Sequence, residues 1–169
     1  MTPEIVGHVR SPYADPASTP VQSTRDATGR GRVELREEYA PMLDGLAGFD
    51  HVWLLTWLDR AERPAPDGHV VPFLLRHRGE DAPRLGVFAT RHPARPNPIG
   101  LSVVRLLGVE GATLHVAGLD CCDATPVLDV KPWQQHLDIP RYGEGPDAVA
   151  AIRGGWFDDA DPTQVFPRE

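Results

Sequence analysis

The sequence predicts an all-β fold, an antiparallel barrel or sandwich, and three observations predict it. Short apolar runs succeed one another at Ile5–Val9, Arg32–Leu35, His51–Leu58, His69–Leu75, Gly86–Thr90, Leu101–Val109, Thr113–Ala117 and Val127–Lys131. They are rich in Val, Leu, Phe or Trp and bounded by Gly, Pro or Asp, which is the composition of strands and their turns. No amphipathic stretch of helical length lies between them, which argues against repeated strand–helix–strand units. Proline fills 18 of the 169 positions, about twice its usual share, and favours short strands joined by rigid loops.

Period-two alternation supports individual strands. In Thr113–Ala117, Leu114 and Val116 share a face opposite Thr113 and His115. In Val127–Lys131, Val127, Asp129 and Lys131 point one way while Leu128 and Val130 point the other. Trp53 and Trp57 flank Leu55 at a spacing of two, so they share its face and are expected in the core. His51, inside the same apolar run, reads as a core histidine rather than a catalyst. Helical turns are expected at Glu37–Leu46 and Asp147–Ile152. No internal repeat is visible. Residues 1–136 read as one domain. Residues 137–169, irregular and rich in Gly, Pro and Asp, read as a tail packing on that domain or on a partner chain.

The net charge is −7, so a nucleic acid would be repelled at long range and could be held only by a local basic patch. Lys131 is the single lysine among 17 basic residues. Cys121 and Cys122 are adjacent, a spacing that rarely bridges, and no C-x-x-C pair offers a zinc site; no metal is expected. The first residues lack the apolar run of a signal peptide, and Val52–Leu58 is far too short to span a bilayer, so a cytoplasmic protein is expected. There is no P-loop, no G-x-S-x-G and no H-E-x-x-H. Gly29-Arg30-Gly31 leads into a strand and lacks the third glycine of a dinucleotide fingerprint.

Pro83–Val109 reverses the sign of the chain: it carries Arg84, Arg91, Arg95 and Arg105 and no acidic residue. Within it, His92, Arg95 and Asn97 each precede a proline, which pushes them into extended geometry and stiffens the loop before any ligand arrives. Such a loop is either a preformed recognition surface or a rigid crossover with solvated arginines, and composition leaves both open. Polar groups also gather at Arg10-Ser-Pro-Tyr13, at Asp59-Arg60 and at Leu119–Pro126, each following a strand. There Asp120 and Asp123 serve as turn formers or as site residues.

These segments occur in a specific order: Gly7-His-Val-Arg-Ser-Pro-Tyr13, Gly48-Phe-Asp-His-Val-Trp53, Gly86-Val-Phe-Ala-Thr-Arg91, Arg95-Pro-Asn-Pro-Ile-Gly100 and Asp123-Ala-Thr-Pro-Val-Leu-Asp-Val-Lys-Pro132. The order resembles the TrmO (TsaA-like) family over about residues 5–135. The resemblance implies a single small antiparallel β-barrel with short helical turns and an irregular C-terminal tail. It further implies a homodimer that uses S-adenosyl-L-methionine to methylate N6 of N6-threonylcarbamoyladenosine beside the tRNA anticodon. By the same resemblance the cofactor pocket draws on Gln22, Ser23, Thr24, Asp59, Arg60, Arg91, Leu101, Asp120, Cys121, Cys122 and Asp123. Asp120, Asp59 and Asn97 are the candidate catalytic residues; Asp123 and His92 are further candidates for the base. Arg10, Tyr13, His92, Arg95 and Lys131 are candidate substrate contacts. Arg91 and Arg95 suit the threonyl carboxylate or a flanking phosphate. Two positions depart from the family pattern: Val21 stands where arginine is frequent, and Ala124 where glycine is usual, so the backbone at Ala124 is expected to avoid positive φ. Two alternatives keep the scaffold but change the role: methylation of a small molecule, or a non-catalytic module that binds the cofactor or RNA.

Overall fold

A computed structural model describes residues 3–21, 29–139 and 154–157. The chain divides into two compact units, Met1–Arg63 with Pro93–Trp133, and Pro64–His92 with Gln134–Glu169. The strands are β1 (Gly7–Arg10), β2 (Arg30–Leu35), β3 (His51–Trp57), β4 (His69–Val70), β5 (Leu85–Gly86), β6 (Ile99–Glu110), β7 (Thr113–Ala117) and β8 (Pro126–Pro132).

In the first unit six strands close an antiparallel barrel in the order β1-β2-β7-β6-β3-β8. Closure removes the unpaired edges that an open sheet would expose. The twelve-residue β6 pairs β3 through Ile99–Arg105 and β7 through Arg105–Glu110. The interior is filled by Val9, Val33, Val52, Leu54, Leu114, Val116 and Val127, all fully buried. Each alternates with an outward neighbour, as the pleat requires. Burying side chains of this size stabilises a fold by about 1.5–3 kcal/mol each.

Several sequence expectations change. Trp53 and Trp57 are not in the core: Val52, Leu54 and Thr56 face inward, while His51, Trp53, Leu55 and Trp57 lie half-buried on the outer face. Both faces of this strand are apolar, so alternation separates the two sets without saying which is inside. His51 likewise is no core histidine; it lies edge-on to Trp133 at 5.9 Å. In β8 the alternation breaks, because the pairing with β3 shifts register between Leu55 and Thr56. Val127 opposes Thr56 and Asp129 opposes Leu55, so Leu128 is the extra residue, and Val127 and Val130 both reach the core. Ala124 adopts φ 63°, contrary to the expected avoidance of positive φ. Its N–H donates to the Val9 carbonyl at 2.9 Å and the Thr125 N–H to that of Cys122 at 3.3 Å, so the turn imposes the conformation despite the Cβ.

The expected turn at Glu37–Leu46 is 3-10 helix at Glu37–Leu43 and Leu46–Gly48; Pro41 removes the donor that a regular helix would need.

The second unit pairs β4 with β5. The apolar runs His69–Leu75 and Gly86–Thr90 thus contain only two-residue strands; 3-10 turns follow at Phe73–Asp81 and Val87–Ala89. Trp156 donates its indole N–H to the Ala89 carbonyl at 2.7 Å. A short helix, α1, spans Gln135–Asp138. The turn expected at 147–152 lies outside the described residues. Among the described residues, no helix is long and apolar enough to cross a membrane, and no group of His, Cys, Asp and Glu is arranged to hold a metal ion.

Candidate active site at one rim of the barrel

Because all pairings are antiparallel, the ends of β1, β3 and β7 and the starts of β2, β6 and β8 share one rim. The sequence-predicted polar segments of the first unit gather there. The loop after β1 and the loop between β7 and β8, over 100 residues apart in sequence, are laced together. The Ser11 N–H donates to Asp123 Oδ1 at 3.1 Å, and Ser11 Oγ donates to the Cys121 carbonyl at 2.7 Å. The Asp123 N–H donates to the Tyr13 carbonyl at 2.7 Å. Arg60, just past β3, ties both loops to a third element. Its guanidinium donates to the Ala14 carbonyl at 2.8 Å and to the Asp123 carbonyl at 3.1 Å. Thr19 Oγ1 lies 3.3 Å from the Cys122 sulfur. Pinned loops lower the entropy lost when a ligand binds.

The proline loop enters the same rim. The Arg95 N–H donates to the Pro93 carbonyl and the Ile99 N–H to the Asn97 carbonyl, both at 2.8 Å, so the loop is built from three-residue turns. The Leu58 N–H donates to the Pro98 carbonyl at 2.8 Å, fixing the loop to the end of β3. Ala94 is buried, Arg95 half-buried and Asn97 exposed.

Asp120 is a carboxylate held by two neutral side-chain donors. Ser102, inward on β6 and 5% exposed, donates its hydroxyl to Asp120 Oδ1 at 2.5 Å. The Cys121 sulfur donates to the same oxygen at 3.7 Å. The two contacts fix the orientation of the carboxylate. Burial pushes the Cys121 thiol far above its ordinary value of 9.0, and the Asp120 charge pushes it further in the same direction. Cys121 is therefore an inert donor here, not a nucleophile. Thr56 Oγ1, inward on β3, is buried beside this thiol and makes no well-aligned hydrogen bond to another described residue. Cys121 and Cys122 are both free thiols.

The structure thus brings Tyr13, Asp59, Arg60, Arg95, Asn97, Leu101 and Asp120–Asp123 to one rim. Leu101 is 55% exposed and Asp59 is exposed. Arg91 and His92 belong to the second unit, where Arg91 is exposed and the His92 ring stacks on Phe73 at 4.7 Å. Arg10, the last residue of β1, is ion-paired with Glu34 at 2.7 Å. Lys131 lies at the far end of β8 from the rim, paired with Asp129 at 2.7 Å. Gln22, Ser23 and Thr24 lie outside the described residues. Sequence reasoning missed Ser102, Thr56 and Ser11 as site members. The signal for Ser102 and Thr56 was available: each is a hydroxyl at a core-facing position of an apolar strand.

A closed β-barrel with a rim rich in carboxylates and braced by proline, and without a glycine-rich strand-to-helix turn, defines a class of ligand-binding barrel distinct from doubly wound nucleotide folds. The comparisons narrow the class. Residues 8–139 match the tRNA-methyltransferase O N-terminal domain, TrmO_N, and the chain belongs to that family. It is 38% identical over 163 residues, 96% of its length, to an Archaeoglobus fulgidus protein named a probable S-adenosyl-L-methionine-binding protein. It is 43% identical over 133 residues, 79% of its length, to a Methanothermobacter thermautotrophicus protein of the same name. It is 34% identical over 148 residues, 82% of its length, to the Mus musculus tRNA (adenine(37)-N6)-methyltransferase. The solved structure of TrmO from Pseudomonas aeruginosa superposes with a TM-score of 0.69 at 35% identity, covering 96% of this chain. The chain spans 40% of the Archaeoglobus protein, 90% of the Methanothermobacter protein, 32% of the mouse protein and 65% of the Pseudomonas chain.

Proposed function

We propose that this protein is an S-adenosylmethionine-dependent methyltransferase that methylates N6 of the adenine at position 37 of tRNA, and that the base it accepts is N6-threonylcarbamoyladenosine. The observation that carries the reading is the family match over residues 8–139, which spans the whole loop-built rim. The names of the archaeal relatives support the donor, and that of the mouse relative supports the acceptor.

The rim residues fit the donor. Asp59, Asp120 and Asp123 offer carboxylates to a cationic sulfonium and to ribose hydroxyls, and exposed Leu101 offers an apolar face to a purine. Arg60 is occupied by two loop carbonyls, so its contribution is to hold the pocket's shape. Bound S-adenosylmethionine supplies an electrophilic methyl group. The rest of the task falls on the protein. Alignment of acceptor and donor can supply roughly 7–11 kcal/mol of the barrier. The threonylcarbamoyl group makes N6 amide-like, so removing its proton helps by roughly two to four powers of ten. Asp120, oriented by Ser102, is the group we assign to that proton, with Asn97 and Asp59 beside it on the rim. Arg95, on the rim, is assigned to the threonyl carboxylate, and Arg91, in the second unit, to a phosphate of the tRNA. The active form is a homodimer in this reading.

The test is mass spectrometry of tRNA nucleosides from cells with and without the gene, complemented by wild type or by Arg91→Ala. Loss of the methylated nucleoside on deletion, restored by wild type and not by the folded variant, is expected. An unchanged nucleoside profile overturns the reading.

A further inference from the structure

On the outer face of the barrel, β1, β2 and β7 present a row of basic residues that begins at the candidate site; its β7 member, His115, lies 3.5 Å from Glu110. Arg10 lies directly opposite Arg32 on β2, and Arg32 lies directly opposite His115 on β7. Arg30, two residues before Arg32, shares its face and is exposed. Val9 and Val33 between them are fully buried, so the arginines project to solvent. Like charges placed opposite each other across strands are destabilising. A single carboxylate offsets the pair: Glu34 Oε2 accepts from Arg10 Nε at 2.7 Å and Glu34 Oε1 from Arg32 Nε at 2.6 Å.

The geometry of that bridge matters. Both guanidiniums are gripped through Nε, and their terminal Nη groups make no hydrogen bond to another described residue. Each arginine is therefore oriented while its outer donors face solvent, with side chains 43% and 53% exposed. The hydrogen bonds to Glu34 hold the Arg10 guanidinium above its ordinary value, and those from Arg10 and Arg32 hold the Glu34 carboxyl below its own. Among the described residues, Glu34 and, at the rim, Asp123 against Arg10, Arg30 and Arg32 leave one net positive charge in a chain whose total is −7. The charge of Asp123 on the rim acts on Arg10, and Ser11, next in the chain, binds Asp123 directly. The row is thus continuous with the site.

We propose that Arg30 and Arg32, with Arg10, form a track for the phosphate backbone of the RNA whose base enters the rim. Fixed, outward-pointing guanidinium forks with little competing acid suit phosphate oxygens, which carry affinity and register but no sequence. Strands about 4.8 Å apart put Arg10 and Arg32 side by side, and a rise of about 3.3 Å per residue puts Arg30 roughly 7 Å further along β2, the scale of a short backbone segment rather than of a small anion. The inference rests on the tRNA reading above and adds to it the path the RNA takes.

The test measures binding of tRNA from cells lacking the gene, as a function of salt, for wild type, Arg30→Glu, Arg32→Glu, Arg32→Lys and Arg105→Glu. Arg105→Glu makes the same charge change at an exposed position two strands beyond Arg30, opposite the same Ala117 of β7, and so marks the lateral limit of a track confined to β1 and β2. Arg30→Glu and Arg32→Glu should each weaken binding about ten-fold or more and lower the slope of log K against log salt by about one. Arg32→Lys should keep the slope, and Arg105→Glu should stay within about two-fold of wild type. Donor affinity by calorimetry should be unchanged in all, which also reports folding. Binding of Arg32→Glu within two-fold of wild type, or equal weakening by Arg105→Glu, overturns the track. Failure of the wild type itself to bind tRNA while it binds the donor overturns the tRNA reading instead.

Discussion

Gly31 sits on β2 where three elements converge, and the space for a side chain there is already filled. A Cβ at this position would lie 2.3 Å from the Arg10 carbonyl oxygen and 2.5 Å from Leu119 Cδ1. The first contact is more than 1 Å inside an ordinary separation of about 3.5 Å. Neither neighbour can retreat cheaply. Arg10 belongs to the β1–β2 ladder, and Leu119 is fully buried immediately before Asp120. Overpacking of this kind costs about 1–3 kcal/mol, while replacing glycine in a strand returns about 0.5–1 kcal/mol of chain entropy. With backbone as the nearest obstacle, Gly31→Ala is expected to destabilise the protein by about 2 kcal/mol. For a chain of this size that lowers Tm by about 4–8 °C. Thermal unfolding followed by circular dichroism measures it, with Gly108→Ala as the control, since a Cβ at Gly108 meets no atom within 4 Å. A Gly31→Ala melting point matching that of wild type, or a loss no larger than that of Gly108→Ala, would refute the packing argument.

Three further outcomes are expected. The fold holds the Cys121 thiol protonated past its ordinary value of 9.0, so above that pH the unfolded chain binds fewer protons and stability falls. Denaturant midpoints should drop at up to about 1.4 kcal/mol per pH unit in wild type, and the drop should be shallower in Cys121→Ala. Ser102→Ala removes a hydroxyl that donates to Asp120, so kcat for methyl transfer should fall about ten-fold or more while S-adenosylmethionine affinity changes little; loss of S-adenosylmethionine binding alone would instead make Ser102 a pocket residue. Arg60→Ala unties the two loops whose carbonyls it joins, so amide exchange at Ser11 and Asp123 should accelerate while that of buried Val33 and Leu114 does not.

The fold was legible wherever one periodicity and one face decided the matter. Thr113–Ala117 alternates cleanly, and the structure places that strand at the same residues. β3 was legible as a strand but not in its orientation, because its outward residues are as apolar as its inward ones. The slip at Leu128 was invisible, since a bulge depends on the partner strand and not on the bulged sequence. His69–Leu75 and Gly86–Thr90 have strand composition, yet tertiary context leaves them mostly as 3-10 turns. At the site, residue types pointed to loops that the structure gathers at one rim, but the bonds from Ser11 to Asp123 and Cys121 join positions over 100 residues apart, which no local pattern encodes. Ala124 shows the same limit: the φ preference of its side chain yields to hydrogen bonds made by its neighbours.

The length of β6 has a practical consequence. One continuous strand supplies Leu101 and Ser102 to the rim, completes the ladder with β3, and continues into the ladder with β7. The rim cannot come apart by fraying at a loose end, because the segment that would have to fray is a stave of the barrel itself. Heat should therefore extinguish turnover and tertiary structure together, and a mild inactivating treatment that spares the global fold would have to act on the loops rather than on this strand.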